Sequence, residues 1–193
     1  MPNQVKNVVA GKPLSTGGVL TGPLGTTLPV DESTALDAAL KSAGYIGEDG
    51  LTETIGRDTD KVKAWGGDVV KVVQTEFSVS YKFVMIESLN EVVLEAVHGA
   101  ANVTKTAATA SAGNKYVVKL TADQLAHMVW VFEVKDGDAR IRIVVEDGQI
   151  TEVGDTVYAD EEVVGYEVTV EAFLGSTTQA QAVKYIDDGQ KTA

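Results

Sequence analysis

From Val73 to Met85 the sequence alternates: Val73, Thr75, Phe77, Val79, Tyr81, Phe83 and Met85 are interleaved with Gln74, Glu76, Ser78, Ser80 and Lys82. Successive side chains of an extended strand point to opposite faces, so this run predicts one long strand with an apolar side and a wet side. Burying a large apolar side chain is worth roughly 1.5–3 kcal/mol, so the large members of the odd-numbered set dictate which side turns to a core. The pattern returns at Tyr166, Val168, Val170 and Ala172, set against Glu167, Thr169 and Glu171. Two such strands require a sheet with one covered face and one wet face.

Further strands are expected at Tyr116 to Thr121 and at Met128 to Val134. After an Asp136-Gly137-Asp138 turn comes a return strand with Ile141, Ile143 and Val145 inward and Arg140 and Arg142 outward, ended by Asp147-Gly148. Ser88-Leu89-Asn90-Glu91 reads as a capping box with Ser88 as N-cap. It opens a helix over about 89–98 whose apolar side is Leu89, Val92, Val93, Ala96 and Val97, closed by Gly99. A shorter helix from Ser33 to Ala43 is expected from the spacing of Ala35 with Ala39 and Leu36 with Leu40. Ala100 to Asn114 reads as a surface loop, and Thr151 to Glu162 as short strands or loops.

Residues 1–30 hold all four prolines, Pro2, Pro13, Pro23 and Pro29, which predicts an extended N-terminal arm with a short strand near Gly18 to Leu20. Residues 175–193 read as a C-terminal arm anchored by Val183, Tyr185 and Ile186. The expected fold is mainly β, an antiparallel β-sandwich or barrel over 31–174 flanked by one α-helix, with extended arms at both ends.

Charge and residue types narrow the function classes. Sixteen basic against 28 acidic residues give a net charge of -12, which opposes nonspecific attachment to nucleic acid or an anionic membrane. There is no cysteine, hence no thiolate nucleophile or ligand. The start lacks a signal-peptide pattern and the longest apolar run, Met128 to Phe132, is far below a membrane span. His98 falls at the predicted helix C-terminus, where a cation complements the dipole, and His127 opens a strand as a polar edge residue. The acidic turns at Asp136, Asp138, Asp147, Asp155, Asp160 to Glu162 and Asp187 to Asp188 lack the spacing of an EF-hand, and turn chemistry accounts for them. No catalytic, cofactor or metal residue is assigned and no enzyme is expected. A calcium- or carbohydrate-binding β module is the alternative from another class.

Tyr45 to Asp68, YIGEDGLTETIGRDTDKVKAWGGD, is too polar for a core element and too rich in spaced apolar side chains for a slack linker. It is expected as a long projecting loop whose contact residues are Leu51, Ile55, Arg57, Asp58, Lys61, Lys63 and Trp65. Trp65 either folds back under its own loop or inserts into a neighbouring subunit.

The run from Glu53 to Trp65, together with Val129 to Val145 and Gly165 to Phe173, resembles the major tail tube proteins of long, non-contractile-tailed bacteriophages. The resemblance covers about Gly17 to the C-terminus. It implies a structural virion protein, made in the host cytoplasm, that forms hexameric rings stacked as a hollow tail tube around a tape-measure protein. Tail terminator and tail-tip proteins would meet the tube, and double-stranded DNA would pass through without specific binding or membrane insertion by this chain. In that setting Gln74, Glu76, Ser78, Ser80, Glu167, Thr169 and Glu171 line the lumen, and the contact residues of 45–68 form an inter-subunit stacking loop. A tail terminator or connector ring protein of similar fold is the alternative within the same biology.

Overall fold

The structure, a computed structural model, describes residues 4–14 and 17–191. Pro2 and the outer ends of the two expected arms lie outside the described residues. In chain order the strands are β1 (Val19–Pro23), β2 (Lys41–Ser42), β3 (Ile46–Lys63), β4 (Val69–Met85), β5 (Val103–Thr106), β6 (Lys115–Val118), β7 (Met128–Asp136), β8 (Ala139–Val153), β9 (Tyr166–Ala172) and β10 (Val183–Asp187). One α-helix, α1 (Glu91–His98), follows β4. The mainly antiparallel β fold with one helix is therefore the expected class.

The main sheet runs β2-β1-β7-β8-β9-β4-β3, and β10 pairs with the first half of β8. The β7–β8 hairpin turns at Gly137, where φ is 60°. Beyond it β8 runs through to Val153, past the expected end at Asp147-Gly148. Gly148 is needed there for another reason: a Cβ on it would lie 2.8 Å from Trp130 Cδ1 and 3.0 Å from Val170 Cγ1. The strand passes against the indole where no side chain fits.

The alternation produces the core directly. Tyr81, Phe83 and Met85 of β4 meet Val168 and Val170 of β9, Trp130 and Phe132 of β7, and Val93, Leu94, Ala96 and Val97 of α1. Tyr81 stacks on Phe132 with centroids 4.8 Å apart, and Phe83 meets Trp130 edge-on at 5.8 Å. Val129 and Val131, the alternate residues of β7, pack with Val144, Leu40, Leu28, Leu36 and Tyr185 in a second, smaller cluster, so this part of the sheet is covered on both faces.

That second cover replaces the helix expected from Ser33 to Ala43. The segment is irregular because Asp31 and Asp37 take the backbone N–H groups: Asp31 Oδ1 accepts from Ser33 at 2.8 Å and from Thr34, and Asp37 Oδ1 accepts from Ala39 at 2.9 Å. Arg142, expected in water, is buried beneath it. Its Nε donates to Glu133 Oε1 at 2.8 Å, and its Nη1 donates to the carbonyls of Asp31 and Thr34 at 2.8 and 2.7 Å.

The helix starts later than the capping-box reading. Asn90 is the N-cap, accepting from Val92 N at 3.0 Å, and Glu87 Oε2 accepts from Asn90 Nδ2 at 3.0 Å. Leu89 precedes the helix and is exposed rather than part of its apolar side. Gly99 closes the helix at φ 87° as expected. His98 ends it with its ring edge-on to Tyr166, and burial lowers its pKa, so the neutral imidazole is favoured over the expected cation. Ala100 to Asn114, expected as loop, contains β5, which forms a separate two-stranded ribbon with β6. The strand near Gly18 to Leu20 is present as β1, and the C-terminal anchor is present as β10, although Ile186 is exposed.

Candidate assembly surfaces

β4 is hydrogen-bonded to β9 only from Val79 to Met85, whereas β3 follows it along its whole length. The rest of the pair leaves the body as a two-stranded ribbon. At ~3.4 Å per residue, Val69 to Ser78 carries the tip roughly 30 Å past the edge of β9. Tyr45 to Asp68 is thus not a loop but mostly strand, with a tight turn in which Ala64 N donates to Asp68 O at 2.8 Å and Gly67 N to Ala64 O at 2.9 Å. Its polar side chains are no obstacle to a strand, because a ladder partner satisfies the backbone of β3 whatever its side chains are.

The contact residues separate accordingly. Leu51 sits opposite Phe83 and packs against the main core at the root of the hairpin. Ile55, Arg57, Asp58, Lys61 and Lys63 are exposed along the ribbon, and Trp65 is fully exposed at the turn. Folding back under its own loop is therefore not what Trp65 does in this subunit. Val73 and Phe77, expected on the buried face of β4, are exposed as well, because no layer covers the ribbon there. Val62, Val69, Val70 and Val72 are exposed too, so the ribbon shows apolar side chains on both faces, Phe77 and Val72 on one and Val73 and Val62 on the other, as surfaces awaiting a protein contact do.

A bulge divides the expected lumen set. Asp58 sits opposite Glu76 and Thr59 opposite Gln74, leaving Thr75 as an extra residue in β4. Opposed residues share a face, so Glu76 stays with Ser78 and Ser80, and Gln74 crosses to the other side. There its Oε1 accepts from Arg57 Nη1 at 3.0 Å, with the guanidinium carbon 4.6 Å from the centroid of Phe77.

The remaining members do come together. Ser80 pairs with Glu171, Lys82 with Thr169 and Val84 with Glu167, so β4 and β9 present one continuous wet face. The register adds residues that alternation within a single strand cannot assign to it: Asp58 of β3 and Glu152 of β8, opposite Glu76 and Thr169. Lys82 Nζ lies 2.9 Å from Glu167 Oε1, and that hydrogen bond and charge, with Glu152 nearby, raise the lysine pKa. Around Lys82 the face carries Asp58, Glu76, Glu152, Glu167 and Glu171. It is a broad acidic surface.

At the opposite, core-facing side Glu53 joins the C-terminal strand to the hairpin root. Its Oε1 accepts from Tyr81 Oη at 2.8 Å, and Oε2 pairs with Lys184 of β10. Burial, then the hydrogen bond and charge of Glu53, raise the Tyr81 phenol above its ordinary range. Gln181 Nε2 donates to Phe77 O at 3.1 Å. The chain following β9 is thereby tied across the sheet.

The acidic turns have structural uses. Asp136 Oδ2 accepts from Ala10 N at 2.8 Å, Asp147 Oδ1 lies 2.5 Å from His127 Nδ1, and Asp187 accepts from Gly189 N at 2.9 Å. Among the described residues, no three histidine or acidic side chains converge as a metal set.

A wet sheet face, an unsupported apolar hairpin and chain ends tied across the sheet define a subunit made for assembly. The family model described as phage tail tube protein matches residues 1–193, and the chain belongs to that family. It is a structural tail tube protein and a component of the virion. Among the described residues no helix is long and apolar enough to cross a membrane. No curated protein matches the chain. Among solved structures it is similar to the sheath-tube complex, in the extended state, of an extracellular contractile injection system, PVC. That match has 7% identity, covers 95% of this chain and 98% of that one, and has a TM-score of 0.40.

Proposed function

We propose that the acidic face of β4, β9 and the adjoining part of β8 lines the lumen of the tail tube, and that the β3–β4 hairpin carries contacts between successive rings. The observation that carries this reading is the shared register of Glu76, Ser78, Ser80, Glu167, Thr169 and Glu171 on one exposed face. Duplex DNA carries one charge per ~1.7 Å of its axis, so a basic wall would hold it and an acidic wall keeps it moving. Hexameric rings, stacked along the axis of a non-contractile tail, enclose a tape-measure protein and are met at the ends by terminator and tail-tip proteins. The chain acts without catalysis. Residues 1–30 and 175–193 serve as arms between subunits around the 31–174 body, held to it through β1 and β10.

Electron microscopy of the purified protein tests this reading. Long hollow tubes with sixfold symmetry are expected. Isolated rings under all conditions, the behaviour of a terminator, would overturn the stacking role.

A further inference from the structure

The antiparallel register puts the hairpin tip and the β8–β9 connection at opposite poles of the subunit. β4 runs from Val69 at the tip to Met85 at the root, and Met85 is paired with Tyr166, the first residue of β9. Val153, the last residue of β8, is opposite Val168 on the same side. The intervening residues 154–165 therefore leave the body at the root end, roughly 50 Å along β4 from the tip at ~3.4 Å per residue.

The two poles are complementary. The tip is apolar with a basic excess: Lys61, Lys63 and Lys71 outnumber Asp60 and Asp68 around the turn, and Trp65, Val69 and Val70 are exposed there. Segment 154–165 has no basic residue, carries Asp155, Asp160, Glu161 and Glu162, and exposes Val157, Tyr158 and Val163 at 51%, 78% and 73%. Neither surface is covered within the subunit. Copies stacked head to tail bring one pole against the other, and clefts between them would close over apolar side chains ringed by opposite charges.

We infer that segment 154–165 is the receptor for the hairpin tip of a second copy of this chain, stacked along the tube axis. The inference rests on the stacking role of the hairpin. It adds the partner surface and a polarity, because each subunit offers a basic tip at one end and an acidic seat at the other. Chains related by a head-to-head contact would oppose like charges.

Charge exchange tests it. The tip variant (Lys61→Glu, Lys63→Glu, Lys71→Glu) and the seat variant (Asp160→Lys, Glu161→Lys, Glu162→Lys) should each raise the concentration needed for tube growth by about tenfold, from ion pairs each worth roughly a factor of two. Combining both sets in one chain restores the complementarity with its sign reversed, and should return growth to near the parent. As an independent check, Trp65→Cys with Tyr158→Cys should give a disulfide-linked ladder from assembled tubes, since the parent has no cysteine. Circular dichroism of each variant reports folding. A tip variant that assembles as the parent does overturns both this inference and the stacking role of the hairpin. A tip variant that fails, with a combined variant that also fails and a cysteine pair that gives no ladder, overturns the seat alone. A ladder, or rescue in the combined variant, supports the pairing.

Discussion

Arg142 and Glu133 form an ion pair buried between the sheet and the segment that crosses it, with Nε 2.8 Å from Oε1 and both side chains less than a tenth exposed. The same guanidinium holds the carbonyls of Asp31 and Thr34. Arg142→Met leaves Glu133 buried without its partner and should destabilise the subunit by about 3–5 kcal/mol in urea denaturation. Adding Glu133→Leu should recover most of that loss. A double variant no more stable than the single one would show that the carbonyl contacts, not the unpaired carboxylate, carry the cost.

Glu146 closes the turn after β9. Although burial opposes its ionisation, the N–H groups of Thr178 and Thr177 and the hydroxyls of Ser176 and Thr178 outweigh it, and its pKa falls from 4.5 to about 2. A carboxyl whose pKa is depressed by folding stabilises the fold above its unfolded value. That contribution fades as pH falls from about 4.5 toward about 2. Glu146→Gln should lower thermal stability at neutral pH and flatten the acid limb of the stability profile in that window, measured by calorimetry. An unchanged acid limb would show that the turn does not depend on the charge.

Replacing Thr59 to Gln74 with an Asn-Gly turn removes the ribbon beyond the bulge and leaves the rungs nearest β9 in place. The removed part is exposed on both faces, so the melting temperature of the subunit should stay within a few degrees. Tube formation, followed by light scattering and microscopy, should be lost. Tubes of parental length would remove the hairpin from the stacking contact.

Glu76, Glu167 and Glu171 changed together to Lys turn the wet face basic without altering a core side chain. Assembly should persist and DNA delivery should slow by tenfold or more as phosphates meet lysines in the lumen, measured by infection kinetics or ejection assays. Delivery at the parental rate would place this face elsewhere than on the DNA path.

The strands were legible wherever one face is buried. Tyr81, Phe83 and Met85, and likewise Val168 and Val170, mark their own direction because a period of two leaves no other way to cover them. Local side-chain chemistry was harder to weigh: the spacing of Leu36 and Leu40 fits a helix, but Asp31 and Asp37 capture the backbone N–H groups first. Gln74 and Glu76 look equivalent in sequence and lie on opposite faces, since a bulge at Thr75 is set by pairing with β3. Asp58 and Glu152 could be assigned to the acidic face only from the strands beside them.

By itself, the sequence determined the β class, the paired polar and apolar faces, the acidic balance and the family resemblance. These follow from side-chain period, burial energy and the specific wording of local segments. The tertiary structure alone decided that Tyr45 to Asp68 is half of a projecting ribbon, that Arg142 is buried, and that Trp65 stands free at the tip. Each of those outcomes depends on which distant segment pairs with or covers a strand, and that choice is made by contacts between residues far apart in the chain.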